Sequence, residues 1–365
     1  MEKTVFFFIL CSILILFSSL TSAQSACQTP DHKNGVCVQV HECPMLLNMV
    51  LTFNTLSIFD KEFVRSSQCE NNGPVTKVCC NTSVFKESDF PQPGVCGTQF
   101  KERIVGGEET TITDFPWMAL IQYEKTGERP RYLCGGSLIN KDYILTAAHC
   151  IASNKLMLSG WGPTTVRLGE HNLLTDLDCE DDSEIDCADP VIDVAINQTI
   201  YHERYQSNLP GQHHDIALIR LAQSITFTDW VKPVCLPFAL HLRNRTYTNV
   251  HLSVAGFGRT ENGTLSDVKM KVEINGFNWN RCNDKYGRRL IAAQLCAGGE
   301  EGKDSCSGDS GGPLHADDKT SRGIPYTYLA GIVSRGPQRC GTPGYPAIYT
   351  KVDQYLDWIM QNMKP

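Results

Sequence analysis

The chain has 365 residues, of which 41% are hydrophobic and 20% charged, and its formal net charge is −7. This length gives room for one large domain and one small one. The negative charge and the lack of any basic run argue against a nucleic-acid partner, although many extracellular proteins have a similar charge balance.

The first 23 residues have the pattern of a secretory signal peptide. Lys3 supplies the positive charge, Val5 to Leu20 form an apolar run, and residues 21–23 (Thr-Ser-Ala) offer a small-residue cleavage site. The alternative is an N-terminal membrane anchor, but the run has about 16 apolar residues and about 20 are needed to span a bilayer. We therefore expect a secreted protein that begins near Gln24 and has no membrane partner.

The cysteine content indicates disulfides. Of the 17 cysteines, Cys11 lies in the predicted signal peptide, which leaves an even number, as expected for a disulfide framework in an oxidising compartment. Zinc binding is disfavoured because no cysteine or histidine spacing repeats in the manner of a zinc site. Four N-x-S/T sequons are candidate glycosylation sites: Asn81, Asn197, Asn244 and Asn262.

The cysteines also divide the chain. Residues 27–80 are too short to be stable without cross-links, and they contain Cys27, Cys37, Cys43, Cys69, Cys79 and Cys80. We predict a separate disulfide-tied domain over this range. The following residues 81–95 include Pro91 to Gly94 and have the composition of a linker.

From Ile104 onward, short β-branched and aromatic runs alternate with Gly, Pro and Asn clusters, a pattern typical of an all-β barrel or sandwich. The predicted strands are 117–122, 137–139, 143–146, 166–169, 217–221, 253–256, 268–274, 328–334 and 347–352. Helical spacing at the end predicts an amphipathic helix docked on the last barrel, through Val352, Tyr355, Leu356, Ile359 and Met363.

Three signatures in the large domain indicate chemistry: TAAHC around His149, DIAL beginning at Asp215, and GDSGGP around Ser310. A serine hydroxyl is a poor nucleophile near neutral pH, so it needs an imidazole base and a carboxylate that holds the imidazole in the useful tautomer. Glycines around the serine let the amides of Gly308 and Ser310 point at the oxyanion of acyl transfer. Each signature alone has an ordinary structural explanation, but together they predict peptide hydrolysis.

Residues 104–365 resemble the chymotrypsin/trypsin family. The resemblance implies two six-stranded antiparallel barrels with a C-terminal helix and an active site in the cleft between the barrels. It implies His149 as general base and acid, Asp215 as orienting carboxylate and Ser310 as nucleophile, with an oxyanion hole at Gly308 and Ser310. No cofactor is expected for catalysis.

The same resemblance implies the substrate preference. Asp304 would lie at the base of the primary specificity pocket and pair with a substrate Arg or Lys, while Ser334, Gly336 and Ala347 line the pocket. An ordinary loop aspartate is the alternative.

The chain departs from the common family pattern at three positions. Ala347 replaces the usual glycine, so we expect Arg to be favoured over Lys. Arg335 replaces the usual aromatic residue, which leaves the binding of residues upstream of the cut open. Phe257 replaces a customary tryptophan as a packing variation.

Residues 101–107 (KERIVGG) resemble the activation junction of the family. Cleavage after Arg103 would free the amine of Ile104 to pair with Asp309. The resemblance also implies four disulfides: Cys134 with Cys150, Cys282 with Cys296, Cys306 with Cys340, and Cys96 with Cys235. The last would tether the light chain after cleavage. Cys179 and Cys187 remain and are expected to pair within the acidic loop.

Residues 27–80 resemble a clip domain of arthropod protease cascades, with another small disulfide knot as the alternative. The implied pairs are Cys27 with Cys79, Cys37 with Cys69, and Cys43 with Cys80. Residues 170–178 resemble the calcium loop of clip proteases, with the carboxylates of Glu170 and Asp178 and the carbonyls of Asn172 and Thr175 as ligands. A merely solvated acidic loop is the alternative.

Together these features predict a zymogen secreted into haemolymph. An upstream protease would activate it, a serpin would inhibit it, and its substrate would be prophenoloxidase or a cytokine precursor of the Toll pathway. A non-catalytic protease homologue and a digestive trypsin are the alternatives. The intact His149, Asp215 and Ser310 argue against the first, and the clip domain and tethered light chain argue against the second.

Overall fold

The computed structural model describes residues 25–30, 34–51, 53, 58–70, 76–81, 85–99, 108–180, 186–209, 211–259, 264–301, 308–337 and 340–364. The predicted signal peptide, the activation junction with Arg103 and Ile104, Asn262, Asp304 and Cys306 lie outside these ranges. Within the described part of the chain, no helix is long and apolar enough to cross a membrane.

The N-terminal domain is a small antiparallel sheet with two helices. Its strands are β1 (Ala26–Gln28), β2 (Asn34–Gln39), β3 (Gln68–Glu70) and β4 (Lys77–Asn81), and its helices are α1 (Pro44–Leu51) and α2 (Ile58–Ser66). The strand order is β1-β2-β4-β3. The disulfides are Cys27–Cys79, Cys37–Cys69 and Cys43–Cys80. They surround a small buried cluster of Val38, Cys43, Leu46, Val64 and Val78, so cross-links supply much of what the core lacks.

The large domain begins with β5 (Glu108–Glu109) and continues with a closed six-stranded barrel. The barrel strands are β6 (Met118–Glu124), β7 (Arg131–Asn140), β8 (Tyr143–Thr146), β9 (Gly162–Leu168), β10 (Ile192–Tyr201) and β11 (Ala217–Leu221). Two short helices, α3 (Ala148–Ala152) and α4 (Asn154–Leu158), follow β8. The strands close in the order β10-β11-β8-β7-β6-β9.

The second half of the domain differs from the predicted six-stranded barrel. Its strands are β12 (His251–Gly256), β13 (Met270–Asn275), β14 (Gln294–Ala297), β15 (Pro313–Lys319), β16 (Pro325–Arg335) and β17 (Ala347–Lys351), and α5 (Trp279–Lys285) lies between β13 and β14. With β5 they form a seven-stranded sheet in the order β14-β17-β16-β15-β12-β13-β5.

This second barrel is only half closed. Its ends meet just beyond β13, where Gly276 bridges Ala297 and Phe277 N donates to Cys296 O over 2.8 Å. Part of the outer edge of β13 is paired with β5 instead, at Lys271 opposite Glu108. Because that edge is already covered, β14 reaches β13 through a few hydrogen bonds at one end.

Four strands of the large domain were missing from the prediction: the two-residue β5 and the strands β10, β14 and β15. β10 is polar and half exposed, with a single fully buried residue, Val194. β14 is four residues long, and β15 begins with Pro313 and ends in charged residues. A search for apolar runs does not detect such segments, because their pairing partners, rather than their own composition, stabilise them.

The C-terminal helix α6 (Leu356–Asn362) is present, preceded by a 3-10 turn at Val352–Gln354. The prediction that it docks on the last barrel is wrong. Trp358 stacks on His202, with ring centroids 5.3 Å apart, and Lys364 N donates to the Tyr143 hydroxyl of β8 over 2.8 Å. The helix therefore packs on the closed barrel, where those aromatic partners lie.

Four more disulfides lie in the large domain and its linker: Cys96–Cys235, Cys134–Cys150, Cys179–Cys187 and Cys282–Cys296. Cys340 is also disulfide-bonded, and the partner predicted for it, Cys306, is outside the described residues. The two domains touch where the Arg204 guanidinium lies 4.7 Å from the centre of the Phe63 ring in α2.

Candidate active site

The partly exposed His149 and the buried Asp215 form a hydrogen-bonded pair on the closed barrel. His149 lies in α3, immediately after β8, and Asp215 precedes β11, which pairs with β8. His149 Nδ1 is 2.8 Å from Asp215 Oδ2, and the backbone N of His149 donates to Oδ1 over 2.9 Å. Because a carboxylate accepts hydrogen bonds, the proton of the neutral imidazole is held on Nδ1, and Nε2 is the basic nitrogen.

A third donor reaches the same carboxylate from the other half of the domain. Ser334, at the end of β16, donates from Oγ to Asp215 Oδ2 over 2.6 Å, and Asp215 is fully buried. Thr350 Oγ1 of β17 donates to the backbone carbonyl of Asp215 over 2.7 Å. Ser334 was predicted as a pocket residue, and neither positioning contact was predicted. No local sequence signal marks them, because both partners are more than 100 residues away along the chain.

The electrostatics of this pair suit a base. Burial lowers the pKa of His149, but the charge of Asp215 and the hydrogen bond to it outweigh burial, so the pKa is raised above its ordinary 6.5. The carboxylate therefore stabilises the imidazolium that forms when His149 accepts a proton.

The loop that carries Ser310 docks on the closed barrel. The Ser310 carbonyl accepts from Gly135 N of β7 over 2.8 Å, and it lies 3.6 Å from Sγ of Cys150, the residue after His149. Gly311 adopts φ +76°, and a Cβ there would lie 2.3 Å from Thr146 Oγ1. A glycine is required because the loop approaches the first barrel too closely for a side chain.

Asp309 is buried beside two glycines. Its Oδ1 accepts from Gly258 N over 2.9 Å. A Cβ on Gly256 or on Gly258 would come within 2.2 or 2.3 Å of its carboxylate. These glycines explain how a carboxylate next to Ser310 fits in the interior. Arg103 and Ile104, predicted to act with it, lie outside the described residues.

The predicted specificity pocket is described in part. Ala347 is fully buried on β17, and Gly336, just beyond β16, is exposed. Asp304 lies outside the described ranges. Gly308 adopts φ +111°, a conformation available to glycine, in the turn that leads to Ser310.

The predicted calcium ligands are brought together in the loop between β9 and β10. Asp178 Oδ2 accepts from His171 N and Asn172 N over 2.8 and 3.1 Å, and the Asn172 carbonyl accepts from Thr175 N over 3.1 Å. Glu170 Oε2 pairs with Arg167 over 3.1 Å, whereas the buried Glu170 Oε1 has no hydrogen-bond partner. That orphaned oxygen fits a cation ligand. The Asp178 carboxylate and the Asn172 carbonyl already accept hydrogen bonds within the loop.

Another metal site can be dismissed on chemistry. Among the described residues, the one compact group of three potential ligands is Cys134, His149 and Cys150, and the two cysteines are joined in a disulfide. Of the sequons, Asn197 and Asn244 are exposed, Asn81 is partly buried on β4, and Asn262 is outside the described residues.

Comparisons with known proteins identify the families to which both domains are similar. The family described as Trypsin matches residues 104–359, and the family described as Regulatory CLIP domain of proteinases matches residues 27–80. Melanization protease 1 of Drosophila melanogaster is 38% identical, over 98% of this chain and 99% of its own length. Phenoloxidase-activating factor 1 of Holotrichia diomphalia is 40% identical over 100% of both chains.

Solved structures give the same result. The crystal structure of the Drosophila Grass clip serine protease of the Toll pathway is 34% identical, with a TM-score of 0.68, and the match covers 93% of this chain and 97% of that one. The similarity extends over both domains and over nearly the full length of these relatives. The chain therefore belongs to the clip-domain serine proteases of the trypsin family, and it is a serine endopeptidase.

Proposed function

We propose that the chain is a zymogen whose mature form hydrolyses peptide bonds with Ser310 as nucleophile, His149 as general base and acid, and Asp215 as orienting carboxylate. The observation that carries the proposal is the 2.8 Å hydrogen bond between His149 Nδ1 and Oδ2 of the fully buried Asp215. It fixes the tautomer whose Nε2 takes the serine proton. The docking of the Ser310 backbone on Gly135, 2.8 Å away, supports the same assignment.

The reaction follows from these roles. His149 takes the proton of Ser310 as its oxygen attacks the substrate carbonyl, and the amides of Gly308 and Ser310 stabilise the oxyanion. His149 then protonates the leaving amine, and water hydrolyses the acyl-enzyme by the same steps. Throughout, Asp215 stabilises the imidazolium without accepting its proton.

We assign the primary specificity to Asp304, which would pair with the cationic side chain before the cut, with Gly336 and Ala347 in the pocket wall. The methyl group of the buried Ala347 narrows the pocket, so Arg is preferred over Lys. Equal turnover of matched Arg and Lys peptides would contradict that preference.

Activation by cleavage after Arg103 is part of the proposal. The new amine of Ile104 would pair with Asp309, whose burial beside Gly258 supports a role for it as an interior anion. Breaking a buried ion pair on one side costs about 3–5 kcal/mol. Before cleavage, that free energy lowers the equilibrium population of the formed oxyanion hole by about two to four orders of magnitude. An upstream protease makes the cut, and Cys96–Cys235 keeps the light chain attached.

The similarity to proteases of insect immune cascades supports an extracellular role in such a cascade. Spaetzle-processing enzyme of Drosophila melanogaster is also 37% identical, over 96% of this chain. We propose haemolymph as the compartment, prophenoloxidase or a cytokine precursor as the substrate, and a serpin as the inhibitor. A non-catalytic homologue would not need the hydrogen-bonded pair of His149 and Asp215, and a digestive trypsin would not need the clip domain.

The activation proposal is tested with Arg103→Ala in the full chain. We expect a secreted, folded protein without amidase activity after exposure to the activating protease, while the exposed control Arg129→Ala is activated like the natural chain. An Arg103→Ala protein with full amidase activity would refute the switch.

The catalytic proposal is tested on the cleaved protein. A serine-directed phosphonate should label Ser310, whereas a non-catalytic homologue would remain unlabelled. Prophenoloxidase and a cytokine precursor are then offered side by side. Cleavage of one of them at a single site identifies the pathway, and degradation of both at many sites would favour a digestive role.

A further inference from the structure

We propose that Arg335 makes the protease selective for substrates that carry an acidic side chain within the three residues before the cleaved arginine. Arg335 stands where the family usually has an aromatic residue, so the property belongs to this chain rather than to the family. The inference rests on the proposed function, because it assumes that peptide substrates bind along the cleft at Ser310.

The position of Arg335 places it at the mouth of the site. It is the last residue of β16 and directly follows Ser334, which donates to Asp215 over 2.6 Å. Its guanidinium lies over the Tyr286 ring, 5.2 Å from the centroid. Tyr286 is itself held, because its hydroxyl donates to the Pro346 carbonyl over 2.8 Å. The guanidinium therefore rests on a fixed ring.

The guanidinium also has unused hydrogen-bonding capacity. Its Nε is buried and has no hydrogen-bond partner, and no carboxylate among the described residues forms a salt bridge with Arg335. Asp215, the nearby anion, already accepts from His149 and Ser334. A half-buried guanidinium without an anion is a costly arrangement unless a ligand supplies one.

The surrounding rim is positively charged. Lys285, Arg288 and Arg289 are exposed on and just after α5, and Arg288 pairs with Asp284 over 2.9 Å. The Arg289 carbonyl lies 2.7 Å from Nε2 of His213, a residue of the first-barrel loop that ends at Asp215. This contact ties the basic rim to the other wall of the cleft. The rim therefore attracts a negative charge to the place where Arg335 can bind it.

A substrate carboxylate is the ligand that best fits these features. The planar guanidinium presents paired N–H donors that match the two oxygens of a carboxylate. An apolar substrate side chain would cover Arg335 further without pairing it, and a basic one would be repelled. Burial and the neighbouring Arg289 disfavour the charged form of Arg335 and lower its pKa. A bound anion would stabilise that charged form.

The test uses the full chain after cleavage at Arg103 and matched peptide amides ending in Arg. Each peptide carries Glu, Gln or Lys at one of the three upstream positions. At one of these positions we expect kcat/KM for Glu to exceed that for Gln about tenfold, because a hydrogen bond to a charged group is worth at least that factor. The preference should weaken as salt concentration rises.

The variant Arg335→Gln should reduce the Glu-to-Gln ratio to about one. Arg281→Gln is the matched control, since that exposed arginine also lies over an aromatic ring, 5.7 Å from Phe277, at the far end of α5. It should keep the tenfold ratio. The ratio compares two substrates of one enzyme, so it does not depend on how much activity each variant retains.

The outcomes separate this inference from the function on which it rests. Equal turnover of Glu and Gln peptides by the natural enzyme, or a ratio unchanged in Arg335→Gln, would overturn the role of Arg335 and leave the protease assignment intact. No hydrolysis of any Arg peptide, together with no phosphonate labelling, would overturn the proposed function and this inference with it.

Discussion

The two halves of the protease domain hold their parts of the site differently. The first is a closed barrel, and it keeps His149 and Asp215 in place with two hydrogen bonds at a fully buried carboxylate. The second is closed at one end only, and its contribution, Ser310, sits on a loop that docks on Gly135 of the first. The comparison teaches that the proposed acid–base pair is anchored in the core of one half, whereas the proposed nucleophile lies on a loop at the interface between the halves.

The largest expected effect comes from breaking the pair in the closed barrel. Asp215→Asn should lower kcat of the activated enzyme about 10⁴-fold, because an amide donates a proton toward Nδ1 and favours the wrong tautomer. The steady-state rate on an Arg peptide amide measures it. The exposed control Asp267→Asn should retain full activity. A tenfold loss or less would mean that the carboxylate does not set the tautomer.

A smaller loss of activity is expected from displacing the loop that carries Ser310. Gly311→Ala places a Cβ 2.6 Å from the Gly135 carbonyl, so the loop must move and kcat/KM should fall about 100-fold. Gly323→Ala is the control, with φ +79° close to the +76° of Gly311 but no atom within 4 Å of the added carbon. Equal effects of the two substitutions would show that backbone strain, rather than docking, matters.

Removing the hydrogen bond between Ser334 and Asp215, which joins the two halves, should lower the activity less than either of these changes. Ser334→Ala removes the 2.6 Å hydrogen bond to Asp215 and should lower kcat about tenfold with little change in KM, since hydrogen bonds to charged groups contribute about 1.5 kcal/mol or more. Ser159→Ala, at an exposed hydroxyl, serves as control. A large change in KM with unchanged kcat would instead assign Ser334 to substrate binding.

The pH dependence sharpens the same comparison. The proposed base His149 can accept a proton only when neutral, so kcat/KM should fall as pH drops through its pKa. Because Asp215 raises that pKa, the midpoint should lie above 6.5. In Asp215→Asn the raising charge is lost while burial remains, so the residual activity should extend to lower pH. If the midpoint of the kcat/KM–pH profile is the same in Asp215→Asn as in the natural enzyme, Asp215 does not set the pKa of His149.

Calcium should have the smallest effect on the rate, because none of its predicted ligands is a proposed catalytic residue, although the loop contacts the second half where Leu173 N donates to Asp267 O over 2.8 Å. If Glu170 Oε1 takes a calcium ligand position, 1 mM Ca²⁺ should raise the melting midpoint over that in chelator by about 2–4 °C. Glu170→Gln should abolish the shift, and the exposed control Asp176→Asn should keep it. If the natural chain has the same melting midpoint with calcium and with chelator, the loop is a solvated acidic loop that binds no calcium.

Local patterns were sufficient to predict the candidate catalytic residues and much of the strand layout. His149, Asp215 and Ser310 each lie in a short signature because a strand end, a strand start or a tight glycine turn must be built around them. By contrast, β10, β14 and β15 went unpredicted, since their residues are polar, few or charged and their stability comes from neighbouring strands.

The sequence by itself determined that this is a two-domain, disulfide-rich, mostly-β serine protease, because those properties depend on residue types and short spacings. Only the tertiary structure decided that the second barrel is half closed, that α6 packs on the first barrel, and that Ser334 reaches Asp215. These three features depend on which distant surfaces meet. The contacts that decide them join residues more than 100 positions apart, so no local sequence pattern predicts them.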